Sequence, residues 1–222
     1  MTTDQQPWGR WAGGVLVAAL VIFSAGAMIG FLAPSLRDAP PFVTDDVAEV
    51  AAAIAGNPGA WMWANGLILS AALITALGLV PITLLFEGNS RPWAFTGLVA
   101  FALAAVFEVI DRFIAIGVTT WAAPQYPDPV VLTVHEAFDR FDDGLGTAFA
   151  ILAFVAIGLY GNAMRQTEAT TQLGWAFVVG ATLGVVLEVV GVGIPGFVYL
   201  GTAALGVAIW RHGPTPPQTS HN

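Results

Sequence analysis

Polar and apolar positions alternate along this chain in long blocks. Six apolar runs, at residues 11–33, 61–86, 93–120, 143–160, 173–192 and 194–210, are separated by shorter polar stretches. Runs of about 17 or more mostly apolar residues can cross the hydrocarbon core of a bilayer, ~30 Å thick, as helices. The last run is the shortest, about 25 Å at 1.5 Å per residue. Only residues 191–196, Pro195 among them, separate it from the fifth. A tight hairpin and a re-entrant pair both fit there, and the hairpin is favoured. The eight tryptophans, Trp8, Trp11, Trp61, Trp63, Trp93, Trp121, Trp175 and Trp210, fall at or just outside the ends of the runs. An indole is apolar over most of its surface but needs a partner for its N–H, so it favours the headgroup layer and marks depth. The pattern predicts an all-α, polytopic membrane helix bundle of six transmembrane helices, solvated by a lipid bilayer.

The polar segments set the organisation. Cationic residues near span ends favour the cytoplasmic side, whereas acidic residues count for little. With the N-terminus inside, Arg10, Arg91, Arg165 and Arg211 are cytoplasmic, while Arg37 and Arg140 are outside. Residues 1–10 are then a cytoplasmic segment, 11–210 a transmembrane domain with outer loops at 34–60 and 121–142, and 211–222 a cytoplasmic tail. That tail, rich in Pro, Thr, Gln and Ser, is expected to be disordered. The apolar core of the first run exceeds a signal peptide's usual 7–15 residues, so it is retained as a helix. In the first outer loop, Asp46 followed by Glu49 reads as a capping box. Val47, Val50, Ala51 and Ile54 share one face until Gly56-Asn57-Pro58-Gly59 ends the turn, which predicts a short helix on the membrane surface.

Composition agrees and excludes much. The mean hydropathy is +0.74, and only 10% of residues are charged, against about a quarter in soluble domains. Cysteine is absent, which rules out thiolate metal sites, thiol nucleophiles and disulfides. Of three histidines, His212 and His221 lie in the tail, so one chain cannot supply a bis-histidine haem within the bundle. No cofactor and no metal are expected. The net charge of −8 argues against a nucleic-acid or polybasic lipid-binding surface.

Candidate chemistry rests on charges at membrane depth. Glu108, Asp111 and Arg112 lie in the third run and Glu188 in the fifth. An ionisable group near the bilayer centre costs at least ~2.5 kcal/mol on insertion scales, so such groups face protein or a wet cavity. Helical steps back from Glu108 meet Ala104, Ala100 and Gly97, and steps back from Glu188 meet Gly184, Ala181 and Gly180. Faces of small residues are those on which membrane helices approach closely. Counted from Trp93 and Leu173, both glutamates stand roughly 22 Å along their helices. Glu108 and Arg112 have the favourable i,i+4 order for an ion pair, which leaves Asp111 and Glu188 without a cation. An unmatched carboxylate in such a place keeps a proton or recruits a cation. The fourth helix is expected to start near Thr133 or Val134, placing His135, Asp139 and Asp142 on one face and Glu136, Arg140 and Asp143 on another. His135, Asp139, Asp142 and Asp143 then form an outer acidic rim, which concentrates cations. A divalent ion at His135, Asp139 and Asp142 would need a further helix to close the site. Asn65, Ser70 and Thr75 in the second run read as packing and interhelical hydrogen bonds, or as the lining of a solute path. Pro81 predicts a kink.

The layout resembles a group of six-helix bacterial and archaeal integral membrane proteins of the domain-of-unknown-function class. It is carried by Ala64-Asn65-Gly66-Leu67-Ile68-Leu69, by Phe107-Glu108-Val109-Ile110-Asp111-Arg112 and by Phe141-Asp142-Asp143-Gly144. The resemblance implies six spans in a bacterial or archaeal cytoplasmic membrane and transfers no catalytic residue. Two function classes follow. One is a non-enzymatic structural or sensory protein, alone or as a homo-oligomer, whose buried charges hold helices together. The other is a small proton- or cation-linked transporter or channel using Glu108 and Glu188, with Arg112 as counter-ion. An intramembrane hydrolase ranks third, since only His135 is at hand.

Overall fold

The structure is a computed structural model that describes residues 5–38, 47–126, 128–166, 170–192 and 196–212. Every regular element among them is helical. The order is α1 (Gln5–Leu32), α2 (Pro34–Asp38), α3 (Val47–Gly56), α4 (Pro58–Leu84), a 3-10 turn (Gly88–Ser90) and α5 (Arg91–Ile114). There follow a π-helical stretch (Ala115–Thr119), α6 (Thr120–Ala122), a second 3-10 turn (Ala123–Gln125), α7 (Pro129–Arg165), α8 (Thr171–Val189) and α9 (Phe197–His212). Five helical segments are long and apolar enough to cross a membrane: Gly9–Leu32, Pro58–Leu84, Gly88–Gln125, Pro129–Arg165 and Thr171–Val189. The sixth expected span corresponds to α9, which has 16 residues, about 24 Å at 1.5 Å per residue.

The starts of α4 and α7 have local causes. Asn57 Oδ1 accepts the Ala60 N–H at 3.1 Å, and Asp128 Oδ1 accepts the N–H groups of Val130 and Val131 at 2.8 and 3.3 Å. In each case a proline follows the capping residue, where its missing N–H costs nothing and its fixed φ suits a helix. Helix α7 therefore begins at Pro129, ahead of the start near Thr133 expected from the sequence. Its 37 residues extend to roughly 55 Å, well beyond the hydrocarbon thickness. At the other end of its neighbour, α8 closes with Gly191 at φ 73°. There the Val192 N–H reaches Leu187 O at 2.9 Å and the Gly191 N–H reaches Glu188 O at 3.1 Å, a Schellman closure.

The chain divides into two compact units. The first holds Met1–Leu20, Leu73–Ala105 and Thr147–Asn222; the second holds Val21–Ala72 and Val106–Gly146.

In the first unit α7 is central. Phe149, Ala150, Ala153, Phe154, Ala156, Ile157, Tyr160, Ala163 and Met164 are all buried, because helices approach it from several sides at small residues. A Cβ on Gly97 of α5 would lie 3.1 Å from the Tyr160 ring, one on Gly201 of α9 2.8 Å from Ile157, and one on Gly184 of α8 2.6 Å from Phe154. From α4, Thr83 Oγ1 and Tyr160 Oη share a 2.6 Å hydrogen bond. Helix α1 packs on α9 through Gly13 and Gly206, where either added Cβ would meet the other's carbonyl oxygen, at 2.5 and 2.8 Å. Only glycine permits such backbone contact. The same contacts give directions. Gly9 faces Leu85 and Ile209, Gly78 faces Val15 and Leu16, and Gly206 faces Gly13 and Leu16, so α1 runs against α4 and α9. Phe154 meets Gly184, Gly158 meets Ala181 and Gly161 meets Phe177, so α7 runs against α8. Arg10, Arg91, Arg165 and Arg211 stand at the same helix ends of this unit.

In the second unit, Leu36, Ala51, Ala53, Ile54, Trp61, Ala115 and Ala123 form a small core with Ala33, Val50, Ala60 and Tyr126 against it. The short helix expected in this loop is present as α3, and its apolar residues Val50, Ala51 and Ile54 are spent on protein. The capping box at Asp46, the tail after His212 and the 193–195 connection lie outside the described residues.

Candidate functional site

The third apolar run places Glu108, Asp111 and Arg112 on consecutive turns of α5, on the face that also carries buried Ala104 and Ala115. Glu108 and Asp111 are each 2% exposed and Asn65 of α4 is fully buried. The guanidinium of Arg112 joins them. Its Nε stands 3.2 Å from Glu108 Oε1, one terminal nitrogen pairs with Asp111 Oδ2, and the other donates to Asn65 Oδ1 at 2.7 Å. Asn65 in turn donates through Nδ2 to Trp61 O at 3.0 Å, and the Trp61 indole N–H reaches Ala115 O at 2.8 Å. That last bond lands where α5 widens into its π-helical stretch, a local re-spacing of the carbonyl ladder often found beside functional residues. Helix α7 reaches the same place at Gly146, whose added Cβ would stand 3.9 Å from Asp111 Oδ2.

Three elements of the second unit therefore surround one guanidinium and two carboxylates. Planar guanidinium donors suit several oxygen acceptors at once, as a single ammonium does not. The expectation that Asp111 lacks a cation is corrected: Arg112 serves both acids, because its long side chain reaches back to Glu108 and sideways to Asp111. Buried charges persist only when paired and hydrogen-bonded, and this cluster meets that demand for Arg112. It still counts two carboxylates against one cation.

The outer rim is looser. His135 and Asp142 are half-buried on α7, while Glu136, Arg140 and Asp143 are exposed, in keeping with the two faces expected. The side chain of Asp139 lies outside the described residues. His135 Nδ1 is enclosed without a hydrogen bond among the described residues. Among those residues no group of three or more His, Asp or Glu side chains is gathered as a metal site.

Glu188 belongs to the first unit. It lies on the packed face of α8 with Gly174, Phe177, Ala181 and Gly184, is 8% exposed, and its Oε1 has no hydrogen-bond partner among the described residues. Gly180, expected in the same stripe, is exposed with nothing within 4 Å of an added Cβ. The 3.6-residue period carries the stripe through Phe177 and Gly174 instead.

The tryptophans divide by role. Trp11, Trp63, Trp93, Trp121, Trp175 and Trp210 are exposed at helix ends, as interfacial anchors are. Trp61 departs from this: it is 6% exposed and acts as a core residue and hydrogen-bond donor. The parts of the site that sequence reasoning missed are Trp61, Gly146 and the π-helical stretch. Only Trp61 left a trace, its spacing of one turn from the polar Asn65. Comparison with protein-family models, with curated proteins and with solved structures finds nothing that matches this chain.

Proposed function

We propose that this chain is a non-enzymatic, multi-pass protein of a bacterial or archaeal cytoplasmic membrane, structural or sensory in kind. It crosses six times with both termini inside, and the Glu108, Asp111, Arg112 and Asn65 cluster locks α4 to α5. The alternating helix directions in the first unit support six crossings, with α9 as the short last one. The four arginines at one set of helix ends support the orientation. One observation carries the functional reading: the Arg112 guanidinium engages acceptors on its own helix and on α4 together. Removing the cation from such a buried set costs about 3–5 kcal/mol, because the acids are left uncompensated.

The test is a stability series in detergent. Arg112→Gln is expected to be strongly destabilised, and adding Glu108→Gln with Asp111→Asn is expected to recover most of the loss. A proton- or cation-linked transporter is the second reading, favoured by the excess of one carboxylate over the single guanidinium. Vesicles containing the purified chain distinguish the two. Uptake of protons or cations by wild type that Glu108→Gln or Glu188→Gln abolishes, with the fold intact, would replace the structural reading by the transport one. Because cysteine is absent, Asn89→Cys, at an exposed position of the α4–α5 turn, probed with a membrane-impermeant maleimide reports the side on which that turn lies.

A further inference from the structure

Glu188 is the acid that the Arg112 cluster leaves unexplained. It occupies the last turn of α8, immediately before the closure at Gly191. Carbonyl groups crowd a helix C-terminus and give it partial negative charge, so an ionised carboxylate is repelled there by its own helix. Burial removes the water that would offset this repulsion, and Oε1 finds no donor.

The stretches of α7 and α9 that lie between their terminal charges offer no cation, since Arg140 and Arg165 flank the one and Arg211 ends the other. Along α7 from 147 to 164 and along α9 from 197 to 210, the ionisable side chains are the phenols of Tyr160 and Tyr199. Tyr160 bonds to Thr83. The charged groups of the first unit among the described residues, Arg10, Glu87, Arg91, Arg165 and Arg211, stand at the opposite helix ends. Arg165 is packed against Gly174, roughly 21 Å along α8 from Glu188. A single carboxylate without companions does not make a metal site either, since metal ions take several ligands.

We infer that Glu188 is a proton-binding site in the membrane: a carboxylic acid that carries its proton within the bundle and is open to modification by lipid-soluble carbodiimides. The inference stands independently of the lock at Arg112. The chemistry needs no other reactant. The acid's proton passes to one carbodiimide nitrogen while its oxygen bonds to the central carbon, giving an O-acylisourea. The acyl group then migrates to nitrogen as an N-acylurea. All reagent atoms are retained and nothing leaves.

The experiment treats the full chain, in vesicles of zwitterionic lipid, with dicyclohexylcarbodiimide, followed by intact mass and peptide mapping. One adduct is expected, on the peptide containing Glu188. It should be absent in Glu188→Gln, form more slowly as pH rises, and not form with a water-soluble carbodiimide and an amine in the aqueous phase. An unmodified Glu188 peptide overturns the inference, as does modification by the water-soluble reagent, which marks a carboxylate in water. Mapping of wild type decides between these outcomes even where the variant does not assemble.

Discussion

Gly174 and Gly180 stand on one helix, and the contact between α7 and α8 treats them oppositely. A Cβ on Gly174 would lie 2.5 Å from Gly161 O and 2.7 Å from the Arg165 backbone nitrogen, whereas one on Gly180 would meet nothing within 4 Å. A carbon against a carbonyl oxygen needs about 3.3 Å, so Gly174→Ala forces the two backbones apart by some 0.8 Å. Both neighbours are main chain and cannot rotate away. Overpacking of this kind costs about 1–3 kcal/mol, and the next turns along the interface, Gly158 with Ala181 and Phe154 with Gly184, lose contact with it. Both substitutions share the gain in helix propensity, up to about 1 kcal/mol for Gly to Ala. The difference between the variants therefore isolates the clash. We expect Gly180→Ala to match or exceed wild type and Gly174→Ala to fall below Gly180→Ala by about 1–3 kcal/mol, tenfold or more in the folded-to-unfolded ratio for most of that range. Reversible unfolding in detergent micelles measures it. Equal stability of the two variants would refute the backbone contact and the α7–α8 packing built on it.

Other consequences are as direct. Trp61→Phe keeps an aromatic ring but removes the indole N–H that bonds to Ala115 O, which should cost about 1–3 kcal/mol for the unmet carbonyl, with the smaller ring adding to it, and speed amide exchange across 115–119; unchanged exchange there counts against the bond. Tyr160→Phe leaves Thr83 bonded to Leu79 O at 2.8 Å and should cost only about 0.5–1.5 kcal/mol, as chemical denaturation can test. With brominated lipids, single-tryptophan variants retaining Trp63 or Trp121 should be strongly quenched and one retaining Trp61 should not; quenching of Trp61 would place it in lipid.

The sequence made some of this legible because a bilayer leaves few choices. Apolar blocks have to become helices, since lipid offers no partner for open backbone groups, and charges within them have to turn inward. Glu108 and Arg112 therefore came together as their i,i+4 spacing implied. Asp111 was misjudged because pair counting assigns a guanidinium one partner, while its geometry allows three. Gly180 was misjudged because stepping by exact turns ignores the drift of a 3.6-residue period. The start of α7 is written in Asp128-Pro129, a cap followed by a helix-compatible proline, but it falls inside the polar stretch 121–142 that reads as an outer loop. Trp61 and the widened turn at Ala115–Thr119 depend on what α3 and α4 bring to α5, and no local pattern encodes that.

The meeting of Gly13 with Gly206 has a topological consequence. The first and last described helices are in main-chain contact and run in opposite directions, so their outer-sequence ends, near Gly9 and Ile209, are neighbours. A flexible peptide between them would follow the surface of the first unit instead of crossing it. The turn near Leu85 sits beside Gly9, at the same end of the helices. A circular permutant opened at Gly88 therefore keeps every helix and its direction, and in that sense the order of the helices around the unit is cyclic.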